Sequence, residues 1–164
     1  MWHSEWYGRA VRRYFSSMEL KERIQNLAQK LLPEVIQWRR HMHMHPELSF
    51  KEFETMKFIA GVLKEKGISF RDGICNTGIV AEIEGNNPES KTIALRADID
   101  ALPILEANDV PYKSKNEGLM HACGHDVHTS SVLGTACILH ELRDQFEGKV
   151  RILFQPGEEK LPGG

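Results

Sequence analysis

The chain has 164 residues, of which 41% are hydrophobic and 27% are charged, and its formal net charge is -2 at pH 7. This length and composition indicate one globular domain whose core needs no disulfide or metal to complete it. The balanced charge argues against a nucleic-acid-binding protein, and no apolar run approaches the ~20 residues that cross a bilayer, so neither nucleic acid nor a membrane is an expected partner.

The cysteines form an odd and sparse set, which consists of Cys75, Cys123 and Cys137. Disulfide frameworks of secreted proteins use denser and usually even sets of cysteines. The cysteine content therefore predicts free thiols or a metal ligand, and a cytoplasmic location.

Residues 1–17 differ from the rest of the chain, because they show no clean apolar period and are basic from Arg9 to Ser17. The segment is compatible with a transit peptide, with a translation start placed upstream of the true start at Met18, or with an ordinary N-terminal segment. We therefore divide the sequence into an atypical leader or start-site extension, residues 1–17, and a domain, residues 18–164.

Two helices are predicted at the start of this domain. From Met18 to Pro46, apolar residues recur at intervals of three and four, which is typical of an amphipathic helix. Ser49 and Glu52 have the spacing of a capping box for a second helix that runs to about Lys66. Gly67 then stands where a left-handed C-cap is expected.

Strand-like segments occupy residues 78–84 and 91–96, separated by a turn, and we expect them to pair in antiparallel fashion. A polar loop spans residues 100–124, a helix 126–142 and a further strand 149–154. A strand, a helix and a strand in succession imply a parallel crossover.

Three groups of polar residues are predicted to meet at one edge of the resulting sheet, where ligands of open α/β sheets bind. Each group also has a plainer explanation: a strand end, a helix dipole partner, a small buried cysteine or a solvated acidic pair. Their coincidence at one edge favours a metal site, because a thiolate and an imidazole two residues apart can face one ion. The groups are Asp98 with Asp100, His121 to Asp126, and Glu158 with Glu159.

Alternating histidines occur at His41, His43 and His45. In an extended segment their rings would share a face and could chelate a metal, whereas in a helix they would fan apart. We favour packing near the site over a metal role.

Four ordered motifs resemble those of the metal-dependent amidohydrolases that include hippurate hydrolase, indole-acetyl amino acid hydrolase and bacterial N-acyl-amino-acid aminoacylases. The resemblance covers residues 18–164. The motifs are Arg39 to Phe50, Leu95 to Ile104, Met120 to Thr129, and Phe154 to Glu159.

This resemblance implies a set of site residues. Cys123, His125 and Glu159 would be metal ligands, with the sulfur of Cys123 between two divalent ions. The ions would be zinc or manganese. Glu158 would be the general base that takes a proton from water. Asp100 matches a strand-end carboxylate of the family and is the second catalytic candidate, with an orienting role.

The resemblance also implies a fold and a substrate. The fold would be the first half of a three-layer α/β catalytic domain of the zinc-exopeptidase type, with a mixed sheet, before a lid or dimerisation domain that supports homo-oligomers. The substrate would be a small N-acyl amino acid. The alternative is a truncated, inactive fragment that binds metal weakly. Gly157 stands where many relatives carry alanine, an exchange that we expect to be harmless.

Overall fold

The computed structural model describes the backbone of residues 3–164 and the side chains of residues 18–164. The interpretation of residues 1–17 as a leader or start-site extension lies outside the described side chains. The chain divides after residue 32 into two compact units. In the first unit, residues 3–32 belong to the first helix, and the second unit, residues 33–164, holds the sheet. The elements in chain order are α1 (His3–Met44), α2 (Phe53–Glu65), β1 (Ser69–Ile74), β2 (Gly78–Glu84), β3 (Thr92–Asp98), α3 (His125–Glu141), a 3-10 turn (Arg143–Gln145) and β4 (Lys149–Gln155).

The four strands form one mixed sheet in the order β1-β2-β4-β3. β2 pairs in antiparallel fashion with β1 and with β4, and β3 pairs in parallel with β4. The α/β class, the mixed sheet and the parallel β3–α3–β4 unit are thus confirmed.

The predicted pairing of residues 78–84 with residues 91–96 is wrong, because β4 lies between these two strands. In β4, Val150, Ile152 and Phe154 are all buried, whereas Ile93 of β3 is 54% exposed. The more apolar strand therefore occupies the central position, where both of its edges are paired and its side chains leave water. β1 escaped sequence analysis because its largely exposed residues lack an apolar alternation.

The predicted capping box at the start of α2 does not form, since Glu52 makes no side-chain cap bond. Glu47 supplies the missing acceptor instead: its carboxylate accepts the amides of Glu54 and Thr55 at 3.2 and 2.8 Å. These are amides of the first turn, which have no partner within the helix. Ser49 and Glu52 are thereby left for other contacts.

The end of α2 agrees with the prediction. Gly67 has φ of +70°, the left-handed conformation that favours glycine. The amides of Gly67 and Ile68 return to the carbonyls of Lys64 and Leu63 at 3.1 and 2.9 Å, which is a Schellman motif. Ile68 and Leu63 are both buried, so the motif directs the chain from α2 into the core.

The core lies between the sheet and the helices α2 and α3. α2 packs on β1 and β2, and α3 packs chiefly on β3 with further contacts to β2 and β4. Over the described residues, no helix combines the length and apolar character needed to cross a membrane. The largest completely buried apolar side chains are Met42, Ile59, Leu63, Ile79, Ile83, Ile99, Leu133, Ile152 and Phe154.

Candidate metal centre

The carboxyl ends of β3 and β4 meet at one edge of the sheet, because the two strands are parallel neighbours with Asp98 opposite Gln155. The amide of Ile99 donates to the carbonyl of Gln155 at 3.0 Å and prolongs this pairing beyond the strands. α3 begins at His125, after Gly124 in a left-handed conformation. The three predicted polar groups therefore do lie at one edge.

The three predicted ligands come together there. One donor atom each from Cys123, His125 and Glu159 lies within 4.8 Å of the others. The His125 ring is 4% exposed, and the Glu159 side chain is 21% exposed. Thiolate, imidazole and carboxylate are donors that divalent zinc and its neighbours accept in proteins.

Asp100 orients the histidine of this cluster. Nδ1 of His125 lies 2.9 Å from the Asp100 carbonyl oxygen and 3.3 Å from its Oδ1. A proton on Nδ1 satisfies these acceptors and leaves Nε2 turned towards Glu158 Oε2 and Glu159 Oε1, at 3.8 and 3.9 Å. This is the arrangement in which a carboxylate and a carbonyl select the histidine nitrogen that faces a metal.

Hydrogen bonds, burial and neighbouring charges shift the pKa values of Asp100, His125 and Cys123. Burial tends to raise the pKa of Asp100, but hydrogen bonds from His125, the Glu159 amide and the Ser49 hydroxyl outweigh it and lower the pKa to about 2. The bond to Asp100 raises the pKa of His125 to about 9 against the effect of burial. Burial, followed by Glu159 and other carboxylates, raises the pKa of the Cys123 thiol. The surroundings are thus strongly negative, as a cation site requires.

Orphaned oxygens provide a test of whether these residues suit a metal ion. Oδ1 of Asp98 and Oε1 of Glu159 are buried and have no hydrogen-bond partner among the described residues. Unpaired buried carboxylate oxygens are costly unless a cation or another donor meets them. With the clustered sulfur and nitrogen donors, they fit a divalent ion.

Glu158 stands beside the cluster and is not one of its three donors. Its side chain is 38% exposed, and its Oε2 is 3.8 Å from Nε2 of His125. A half-exposed carboxylate next to the candidate ligands is accessible to water and to a substrate. Its role as general base stays a prediction.

A buried polar network lies behind the first turn of α3, and the sequence patterns did not predict it. Asp126 Oδ2 is 2.8 Å from Arg39 Nε and 2.7 Å from His43 Nδ1, while His43 Nε2 is 3.1 Å from Glu106 Oε1. The network ties α1 and the 100–124 loop to the residue after His125. The Arg39 to Phe50 motif was its only sequence signal.

His41 and His45, like His43, lie outside the metal cluster. This agrees with the prediction that histidines at these positions fan apart if the segment is helical. His41 stacks on Phe58 at 4.2 Å between ring centroids, and Nδ1 of His45 bonds to the carbonyl of His41 at 2.8 Å. His121 was also unassigned by the sequence. Both of its ring nitrogens are buried without a partner among the residues described, and burial lowers its pKa to about 4.

The expectation that glycine in place of the relatives' alanine is harmless at position 157 stays a prediction, and the structure bears on the reverse exchange, from glycine to alanine. The φ of Gly157 is +63°, and a Cβ atom would lie 2.5 Å from Cζ of Phe50. An alanine would therefore combine backbone strain with an overlap against an aromatic ring. In this protein the exchange requires the ring or the loop to move.

In the metal-free protein, the Asp100–His125 pair is expected to contribute most to the free energy of unfolding between about pH 3.8 and 6.5. The depressed pKa of Asp100 contributes stability above 3.8 that is lost as the pH falls through about 2. The raised pKa of His125 contributes stability below 6.5 that is lost as the pH rises through about 9. Thermal unfolding midpoints measured against pH after chelation test this.

Asp100→Asn should flatten that pH profile on both sides, because it removes the charge that the two pKa shifts share. Asp109→Asn is the matched control, since Asp109 is exposed. Parallel profiles for Asp100→Asn and the unmodified protein would show that the pair does not contribute as described.

The chain is similar to a family model and to several known proteins. Residues 94–164 match the family model "Peptidase family M20/M25/M40". The chain is 56% identical to the N-acetyl-L-cysteine deacetylase of Bacillus subtilis over 76% of this chain and 30% of that protein. It is 47% identical to the N-acyl-L-amino acid amidohydrolase of Geobacillus stearothermophilus over 88% of this chain and 39% of that protein.

A solved structure extends this similarity. The YXEP protein of Bacillus subtilis, described as a dinuclear metal-binding peptidase from the M20 family, aligns with a TM-score of 0.77 and 48% identity, over 82% of this chain and 38% of that one. The chain spans about a third of the length of the curated relatives it matches. It belongs to the M20 peptidase family, a family of hydrolases, and corresponds to the N-terminal part of its members.

Proposed function

We propose that the protein carrying this chain is a metal-dependent amidohydrolase that cleaves N-acyl amino acids into a carboxylate and a free amino acid. The observation that carries the proposal is the cluster of Cys123, His125 and Glu159, with donor atoms within 4.8 Å of one another and Glu158 adjacent. The names of the relatives, an amidohydrolase and a deacetylase of N-acyl amino acids, support the substrate class.

Cys123, His125 and Glu159 would hold the metal, and we propose two divalent ions, zinc or manganese. Support for two ions comes from the relative described as dinuclear. Such ions, when bound, supply Lewis-acid polarisation and make water a stronger acid. Asp100 keeps Nε2 of His125 directed at the cluster through its bonds to Nδ1.

Glu158 would move the proton. Its carboxylate accepts a proton from the water that attacks the amide carbonyl, and it returns that proton to the nitrogen of the departing amine. Both transfers require a basic oxygen that is not occupied as a ligand. The position of Glu158 outside the three-donor cluster, with 38% of its side chain exposed, supports this assignment.

Substrates of the hippurate type, a cytoplasmic location and a homo-oligomeric state belong to the same proposal. The odd cysteine count supports the location, and the family resemblance supports the other two. The family resemblance implies that two further histidine ligands and the substrate contacts would come from other parts of the full-length protein.

An assay of the full-length natural protein tests the proposal. It should release free amino acid from N-acetyl amino acids or hippurate, lose this activity on chelation, and regain it with Zn²⁺ or Mn²⁺. Full activity in the presence of the chelator, or no activity on any N-acyl amino acid after metal loading, would contradict it.

A second candidate function is that this chain by itself is inactive and only binds metal weakly. The observation in its favour is that residues 18–164 contain a single group of three clustered metal donors. The purified 164-residue chain should then show no turnover in the same assay. Turnover by this chain alone would overturn this alternative.

A further inference from the structure

A short turn between α1 and α2, formed by residues 48–52 and named the 48–52 turn, lies against the loop after β4. That loop, residues 156–159, carries Glu158 and Glu159 and is named the glutamate loop. Within the turn, Phe50 has φ of +65°, an uncommon conformation for a non-glycine residue. Its ring packs directly on Gly157. Residues 48–50 of the turn form the end of the Arg39 to Phe50 motif, which the proposed chemistry does not use.

Glu52 makes the central contact between the turn and the glutamate loop. Its Oε1 accepts the amides of Gly157 and Phe50, both at 2.9 Å, and its Oε2 accepts the hydroxyl of Thr77 at 2.6 Å. The residue is 0% exposed. A carboxylate in such a position is tolerated only because donors surround it, so these bonds define where it sits.

The other side of the glutamate loop is held in the same way. The amide of Glu159 donates to Asp100 Oδ2 at 2.9 Å, and the hydroxyl of Ser49 donates to the same oxygen at 2.7 Å. The amides on the two sides of Glu158, those of Gly157 and Glu159, are therefore each bonded to a buried carboxylate. Both carboxylates are also bonded to the 48–52 turn.

We propose that Glu52 is a positioning residue, which fixes the backbone at Gly157 and thereby holds Glu158 and Glu159 in place beside the metal cluster. The proposal rests on the proposed function for the roles of the two glutamates. None of the hydrogen bonds of Glu52 reaches the side chain of a candidate ligand. Glu52 acts through the main chain of the glutamate loop.

Two substitutions of Glu52 distinguish the effect of its hydrogen bonds on the glutamate loop from the effect of its negative charge. In Glu52→Gln, one amide oxygen can accept both N–H groups and the amide nitrogen can donate to the Thr77 hydroxyl, so the loop should stay in place. In Glu52→Leu, the Gly157 amide loses its acceptor. For Glu52→Leu we expect kcat and metal affinity to fall about 10- to 100-fold, as for other residues that orient metal ligands, with KM changed less than about threefold.

Amide hydrogen exchange of the full-length natural protein, monitored by mass spectrometry of the peptide that contains Gly157, provides a readout without substrate. This peptide should exchange slowly in the unmodified protein and in Glu52→Gln, and at least about tenfold faster in Glu52→Leu. Glu47→Leu is the matched control. The Glu47 carboxylate accepts amides at the start of α2 but makes no bond to the glutamate loop. Its removal should therefore leave exchange of the Gly157 peptide unchanged.

The outcomes distinguish this proposal from the proposed function. Faster exchange and weaker metal binding in Glu52→Leu support positioning, even if no N-acyl amino acid is hydrolysed. Unchanged exchange, metal binding and kcat in Glu52→Leu overturn it, as does an equal effect of Glu47→Leu on the loop. If Glu52→Leu does not fold, rapid exchange of the Gly157 amide in the unmodified protein still overturns the proposal.

Discussion

Replacing Glu158 with glutamine should lower turnover of the full-length natural protein by about 10²- to 10⁴-fold and leave its metal content near normal. Glutamine has nearly the same shape but cannot take a proton from water. The donors of Cys123, His125 and Glu159 form the cluster without Glu158, so the substitution removes no candidate ligand. Steady-state kinetics and metal analysis on the same preparation measure both effects.

Glu84→Gln is the matched control for Glu158→Gln. Glu84 is exposed and lies opposite Lys149 in the register of β2 and β4, at the end of the sheet away from the glutamate loop. It should keep both activity and metal. If Glu158→Gln also lost its metal, the division of roles between Glu158 and Glu159 would be wrong.

Replacing Cys123 with alanine should empty the metal site. The substitution takes the sulfur from the three-donor cluster and leaves one imidazole and one carboxylate from this chain. Because Cys123 is expected to lie between two ions, its loss should weaken the binding of both. Metal content per chain after dialysis, together with competition against a chromophoric chelator, measures the result.

Cys75→Ala serves as the control for Cys123→Ala, because Cys75 is also an exposed free cysteine but lies outside the cluster. It should retain its metal. Stoichiometric metal in Cys123→Ala would show that the thiolate does not bridge two ions.

The positions of Glu158 and Glu159 were predictable from the sequence, whereas that of Glu52 was not. Adjacent acidic residues after an apolar strand could be placed at the sheet edge, because strand ends and a parallel crossover can be predicted from patterns within about 60 residues. Glu52 could not be assigned in the same way. Its spacing from Ser49 matches a local capping box, but its partners Thr77 and Gly157 are distant in the chain.

Local patterns in the sequence were sufficient for the β3–α3–β4 unit, for the C-cap at Gly67 and for the meeting of Asp100, Cys123, His125 and Glu159 at one edge. These features depend on hydrophobic periodicity, glycine conformation and chain direction, which act over short distances. The place of β4 between β2 and β3 is different in kind. The hydrogen-bond partners of Ser49, Glu52 and Asp126 are different in the same way. They depend on competition among strands for the central position and among buried donors for an acceptor, and that competition is resolved only when distant segments pack together.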